Sequence, residues 1–350
     1  MVVKVFVVDD SAIVRQALAH MLADNAEIEL VGSAPNPLLA MEAIRKTAPD
    51  VLLLDIEMPG MDGLTFLRQI MSSQPIPTVI CSTLSTEGSK VALEALSAGA
   101  IAVMAKPKLG LKQYLDDSRR EMIQTLKTAA RARPRPRAVA ADASVSTSRL
   151  SGLGAVHALA MNKPVVIGSS TGGTQALELV LTQLPADAPG IAITQHMPEK
   201  FTAMYAQRLN GLCAMQVREA KDGDRLERGL ALIAPGGLHM QLRKVSGQYY
   251  VHVMDGPPVN RHKPSVDVLF KSAADVAGRD ALGIIMTGMG DDGARGMKVM
   301  HDQGARTIAQ NEETCVVFGM PKEAIKLQAV DDILPLEHIA RAILQFDSRA

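Results

Sequence analysis

Residues 164–173 read PVVIGSSTGG: a short apolar run, a turn of small residues, and the start of a segment over 173–184 with apolar residues at helical spacing. A strand, a tight turn and a helix in that order form the repeating unit of a parallel α/β fold. The unit recurs on both sides of this stretch. Beyond it, strands are expected at 191–195, 214–218, 230–234, 281–287 and 306–310, and helices near 201–211, 264–277, 293–303 and 335–346. The alternation in QLRKVSGQYYVHV, with Ser246-Gly247 at its centre, predicts a β-hairpin between Leu238 and Val253.

Upstream, KVFVV, IELVG, DVLLLD, PTVICS and AIAVMA read as strands, and 12–23, 37–48, 63–72, 87–98 and 110–129 as helices. Ser11 is placed to cap the first of these. Five such units predict a doubly wound (βα)5 domain. The later units predict a second, mainly parallel Rossmann-like α/β domain that carries the hairpin. Between the two, from Arg131 to His157, Arg alternates with Pro and then gives way to Ala, Ser and Gly without periodicity, the composition of a tether. The expected division is therefore a domain over 1–125, a linker over 126–158 and a second domain over 159–350.

A chain of 350 residues suits two cores of about 150 residues each. Lys plus Arg and Asp plus Glu both total 37, which argues against a nucleic-acid partner. Aromatics make up 3% and Trp is absent, so platforms for stacking bases or sugars have little material. The three cysteines, Cys81, Cys213 and Cys315, stand apart among apolar neighbours, as in a reducing compartment. No apolar run reaches the ~18 residues of a membrane span, so no membrane insertion is expected and the cytoplasm is the expected location.

In a parallel sheet, functional groups gather beyond the carboxyl ends of the strands. In the first domain those ends carry Asp9 and Asp10, Asp55, Ser82 and Lys106. Three converging carboxylates suit Mg²⁺, a hard cation with oxygen ligands. Asp55 can then attack a phosphoryl group, Lys106 neutralises charge during transfer, and the Ser82 hydroxyl bonds the new phosphate.

These positions, with DD at 9–10, DIEMPGMDG from Asp55 and KP at 106–107, resemble the receiver domain of bacterial response regulators. The resemblance implies phosphorylation of Asp55 by a phosphohistidine on a sensor histidine kinase. It also implies that Glu57 lends Mg²⁺ only its backbone carbonyl. Val103 stands where receivers usually carry an aromatic residue, a departure that bears on how the switch is read out.

In the second domain, the turn in PVVIGSSTGG hangs Ser170 where free helix N–H groups favour negative charge. On this motif alone a serine nucleophile and an anion cradle are equally good readings. The next strand breaks the tie: IAITQHMP ends at His196, and GIIMTGMGDDGARG later delivers Asp291 and Asp292 to a third strand end. A serine hydroxyl needs an imidazole to take its proton, and that imidazole needs a carboxylate to fix its tautomer. The glycines of TGMGDDG leave the Met289 N–H free to face a developing oxyanion, together with an N–H near Thr171. His239 and His262 flank Gly/Pro-rich loops and are candidate substrate contacts; the remaining histidines read as ordinary polar residues.

GSSTGG, TQHMPEKFT, APGGLHM, VNRHKPSVDVLF and MTGMGDDGA resemble, in order, the motifs of the chemotaxis receptor glutamate methylesterases, the CheB family. By that resemblance Ser170 is the nucleophile, His196 the base, Asp292 its orienting acid and Met289 an oxyanion donor. The substrate would be a glutamyl γ-methyl ester on methyl-accepting chemoreceptors, the phosphodonor a kinase of the CheA type, and ester hydrolysis would need no cofactor. Some members also deamidate receptor glutamines. With the family as guide, the unphosphorylated receiver is expected to pack over the Ser170 cleft. The competing classes are a regulator with a DNA-binding output, which would need a basic recognition helix, and a nonenzymatic adaptor that holds a receptor or nucleotide in the cleft.

Overall fold

The computed structural model describes residues 2–23, 25–58, 63–82, 86–106, 112–132 and 163–348. Most of the expected linker, from 133 onward, lies outside the described residues; its first residues are no tether, because the last helix of the first domain continues to Ala129 and Leu126, Ala129 and Ala132 are buried in that domain's core.

The first domain runs β1 (Val3–Val8), α1 (Ala12–Leu22), β2 (Ile28–Ala34), α2 (Pro37–Thr47), β3 (Val51–Leu54), α3 (Gly63–Ser73), β4 (Thr78–Ser82), α4 (Thr86–Ser97), β5 (Ala102–Ala105) and α5 (Lys112–Ala129). Its five strands are parallel, in the order β2-β1-β3-β4-β5. Helices cover both faces, so the central strand VLLL is buried at every residue, as a parallel strand must be. Helix starts follow local chemistry: Ser11 Oγ accepts from Val14 N–H at the head of α1, and Asn36 Oδ1 from Leu39 N–H at the head of α2.

The second domain runs β6 (Val165–Ser169), α6 (Gly173–Leu181), β7 (Ile191–Gln195), α7 (Glu199–Asn210), β8 (Gln216–Glu219), β9 (Leu230–Ile233), the hairpin β10 (His239–Val245) and β11 (Gln248–Met254), and α8 (Val266–Ala277). There follow β12 (Leu282–Ile285), α9 (Ala294–Asp302), β13 (Arg306–Gln310), α10 (Met320–Lys326), β14 (Asp332–Leu334) and α11 (Leu336–Asp347). Seven parallel strands lie in the order β14-β13-β12-β6-β7-β9-β8. The chain moves outward from β6 to one side and returns to build β12, β13 and β14 on the other. That reversal makes the carboxyl end of β6 a topological switch point, where α/β sheets open a crevice.

The sequence pattern did not disclose α10 or β14, a seven-residue helix and a three-residue strand too short for periodicity to show. The strand expected over 281–287 stops at Ile285. Thr287 N–H donates to Gln310 Oε1 at 2.8 Å and Gly288 N–H to Val317 O at 3.1 Å, which draws the chain into a loop. Ser246 and Gly247 turn the hairpin with φ of +49° and +77°, the left-handed pair a two-residue turn requires.

The two domains touch through α4, which packs on α6 and α7. Leu93 and Leu96 share one buried apolar cluster with Leu177, Phe201 and Tyr205. Gln175 Nε2 donates to Leu96 O at 2.6 Å. On the other flank, Val316 and Val317 pack against a cluster containing Met122, Leu126 and Ala132 of the first domain.

Candidate active site

The turn after β6 carries Ser170. Its N–H donates to Thr287 O at 3.0 Å and its carbonyl accepts from Gly173 N–H at 2.8 Å, so the main chain is fixed on both sides. The turn is glycine-bound for steric reasons: a Cβ on Gly172, at φ +78°, would meet Val316 at 2.5 Å, and one on Gly173 would meet Gln195 Oε1 at 2.1 Å. Gln195 is buried, accepts from Ser169 Oγ at 2.7 Å and donates to Ser170 O at 2.9 Å and His196 O at 3.1 Å, tying the ends of β6 and β7 together.

His196 follows β7 directly and is only 8% exposed in its side chain; its Nε2 lies 2.9 Å from Asp292 Oδ2. The carboxylate assigns the ring proton to Nε2 and leaves Nδ1 as a lone pair. Among the described residues Nδ1 is buried without a hydrogen-bond partner, an expensive state unless a reacting group uses it. Among the described residues no hydrogen bond joins Ser170 Oγ to the ring, a looseness common before substrate tightens a site.

Asp292 is held by more than the histidine. Its Oδ1 accepts from Asn260 Nδ2 at 2.8 Å, Ser265 Oγ at 2.7 Å and Asp267 N–H at 3.3 Å, and its Oδ2 also accepts from Val266 N–H at 2.7 Å. Burial alone would raise this carboxyl's pKa. The hydrogen bond from His196, with the bonds from Asn260 and Ser265, outweighs burial and holds it well below the usual carboxylate range. Asn260 gives its second amide hydrogen to Asp267 Oδ2 at 3.0 Å, and Asp267 Oδ1 accepts from Gly296 N–H at 2.7 Å. The sequence reading had not singled out Asn260, Ser265 or Asp267. Their clustering in VNRHKPSVD, three polar residues just before and inside a helix start, was the signal available.

The two candidate substrate histidines separate. His239 is buried with both ring nitrogens engaged, Nε2 donating to Pro257 O at 3.0 Å and Nδ1 accepting from Ser265 N–H at 3.2 Å, so it braces the loop before α8. His262 instead lies against His196, ring centroids 3.8 Å apart and planes 9° from parallel. Burial, then the neighbouring charges of His196 and Arg261, lowers its pKa to about 4 against the pull of Asp292.

Met289 sits in the loop that delivers Asp292, and Thr171 in the turn after Ser170; among the described residues neither gives its backbone N–H to a protein acceptor. Thr171 O accepts from Thr287 Oγ1 at 2.9 Å, which couples the two loops. Thr128 Oγ1 of α5 contacts Met289 Sδ, so the first domain reaches this loop.

In the first domain Asp9, Asp10 and Asp55 bring carboxylate oxygens within 4.8 Å of one another. Lys106 Nζ lies 2.7 Å from Asp55 Oδ2 and 3.2 Å from Asp9 Oδ2, and Ser82 is buried at the end of β4 beside them. Burial opposes the charge on Lys106, but the hydrogen bond and charges of Asp55 and Asp9 hold it above the usual lysine range. Burial raises Asp9 above the usual carboxylate range, Lys106 opposes the rise and Asp55 adds to it. Among the described residues Asp9 Oδ2, buried and 3.2 Å from the Lys106 ammonium, has no well-aligned hydrogen bond, and with the oxygens of Asp10 and Asp55 it fits a divalent cation. Glu57 N–H donates to Asp55 Oδ1 at 3.0 Å.

Residues 165–343 match the family described as CheB methylesterase, and residues 5–114 the response regulator receiver domain. The chain is 57% identical to a Dechloromonas aromatica protein named protein-glutamate methylesterase/protein-glutamine glutaminase 2, over 98% of each chain. It is 56% identical to a Xanthomonas oryzae protein named protein-glutamate methylesterase/protein-glutamine glutaminase 1, over 96% of this chain and 99% of that one. The crystal structure of the Thermotoga maritima CheB methylesterase catalytic domain is 37% identical, with a TM-score of 0.51, and covers 53% of this chain and 98% of its own. No helix among the described residues is long and apolar enough to cross a membrane.

Proposed function

This chain belongs to the CheB methylesterase family, and we propose that it is a phosphorylation-regulated serine esterase hydrolysing glutamyl γ-methyl esters on chemoreceptors, with glutamine deamidation as a second activity. The observation that carries this reading is the 2.9 Å contact of His196 Nε2 with Asp292, which leaves Nδ1 free at the rim where Ser170 ends the neighbouring strand.

In this reading His196 Nδ1 takes the Ser170 hydroxyl proton as Oγ attacks the ester carbonyl. The oxyanion of the tetrahedral intermediate lies at the Thr171 and Met289 N–H groups, donors of a kind that contributes about 10²- to 10³-fold. His196 then returns the proton to the leaving oxygen, and methanol departs. Water, giving a proton to His196, attacks the acyl-serine; His196 returns that proton to Ser170 Oγ as the acyl C–O bond breaks, and the freed glutamic acid side chain releases its own proton to solvent and leaves as a carboxylate. With a glutamine side chain, ammonia leaves instead. Asp292 stays ionised throughout and stabilises the imidazolium.

The receiver would accept its phosphoryl group on Asp55 from a CheA-type sensor histidine kinase. Asp9, Asp10, Asp55 and the Glu57 carbonyl would hold Mg²⁺, which supplies charge neutralisation for phosphoryl transfer. A phosphoryl group adds about 1.5 to 2 negative charges beside Lys106 and Ser82 and shifts the balance away from the docked arrangement of α4 on α6 and α7.

Methanol release from membranes bearing methylated receptors tests the reading. Ser170→Ala and His196→Ala should each lose nearly all turnover, since members of a triad act as a unit, and Asp292→Asn should fall by about 10⁴-fold. Wild-type turnover in Ser170→Ala would overturn it.

A further inference from the structure

Residues 259–262 form a two-residue turn. Val259 and His262 exchange both backbone hydrogen bonds, at 3.0 and 2.9 Å, and Asn260 and Arg261 between them have φ of +51° and +71°. Two consecutive left-handed residues are the mark of a turn usually written Asn-Gly. Asn tolerates that conformation; an arginine, with its Cβ, is disfavoured in it. A residue kept in such a region, where glycine would relax the chain, points to a task at that position.

The tasks of its neighbours are visible. Asn260 turns inward to Asp292 and Asp267, and His262 lies on His196. The Arg261 side chain does neither: it is 83% exposed, and its guanidinium comes within 3.8 Å of Asp291, a long pair in open solvent that contributes little to stability. That pair does keep the guanidinium over the loop carrying Met289 and Asp292. The nearby cation Lys263 is neutralised by Asp255.

We propose that Arg261 is a specificity-determining residue that takes a carboxylate of an acidic protein segment carrying the scissile ester. The inference rests on the esterase reading above and names what that site prefers in its substrate. A guanidinium fork matches a carboxylate in two parallel hydrogen bonds, which selects charge and orientation together. Between Asn260, which steadies the acid, and His262, which lies on the base, and with its guanidinium at Asp291 in the loop that carries the acid, it would draw in an acidic segment and hold the ester over Ser170.

The test measures methanol release by the full-length protein on membranes bearing methylated receptors, with KM and kcat separated. Arg261→Gly should raise KM about tenfold, the loss of one charged contact, with a much smaller change in kcat. Its Tm should rise by a few degrees, because glycine relaxes the turn. Arg261→Lys should recover part of the affinity, the charge without the fork. Raising salt from about 50 mM to about 500 mM should raise KM for the wild type more than for Arg261→Gly. A KM for Arg261→Gly within about twofold of wild type, or an equal salt dependence, overturns the inference. Absence of methanol from the wild type would overturn the esterase reading itself, and this inference with it.

Discussion

His262 lies face to face with His196 at 3.8 Å, and the stack holds the plane of the base while Asp292 holds its edge. One ring nitrogen fixed by a carboxylate still leaves the imidazole free to rock about that bond; a flat neighbour removes the remaining freedom. His262→Ala should therefore lower kcat about tenfold with little change in KM, since small misplacements of a base are costly in rate. His262→Phe, which keeps a flat ring and removes the nitrogens, should recover most of the loss. Turnover by Phe as poor as by Ala would show that the imidazole nitrogens matter, not the stack.

The legibility of this chain divides along physical lines. Strands buried on both faces, such as VLLL at Val51–Leu54 and VVIGS at Val165–Ser169, announce themselves as apolar runs, and the strand-end rule then places Asp55, Ser170, His196 and Asp292 on their edges. The supporting residues do not follow from that rule. Asn260 reaches Asp292 through a turn with two left-handed residues, and Gln195 acts on Ser170 across strands, relationships that depend on three-dimensional pairing. The packing of α4 on α6 and α7 does not follow from that rule either: the expectation is a receiver over the Ser170 cleft with no helix named, because an amphipathic helix does not name the surface it meets.

The same stack sets a pH dependence of stability. His262 has a folded pKa of about 4, below the ordinary 6.5 of an imidazole. Above pH 6.5 the ring is neutral in both folded and unfolded chains, and its native arrangement is fully favourable. As pH falls from 6.5 toward 4, the unfolded chain takes up a proton that the folded chain refuses, so stability falls across that window and levels off below it. Asp292, depressed in the folded state, adds a loss only below the ordinary carboxylate range. The midpoint of denaturant unfolding, followed from pH 7.5 to 4, should therefore decline for the wild type and decline less for His262→Phe. Parallel curves for the two proteins would place the titration elsewhere.

Gln175 Nε2 donating to Leu96 O at 2.6 Å fixes α6, the helix that follows the Ser170 turn, to the end of α4. If docking of the first domain restrains the esterase, weakening this bond should raise turnover without any phosphodonor. Gln175→Ala removes a hydrogen bond whose net contribution is about 1 kcal/mol, enough to shift a two-state balance about fivefold. Basal methanol release should rise severalfold, and a small phosphodonor should then stimulate the variant less than the wild type. Asp55→Asn, or removal of divalent cations with EDTA, should abolish stimulation in both proteins while leaving the raised basal rate of Gln175→Ala in place. Equal basal rates for Gln175→Ala and wild type would mean that the contact between α4 and α6 does not govern the cleft.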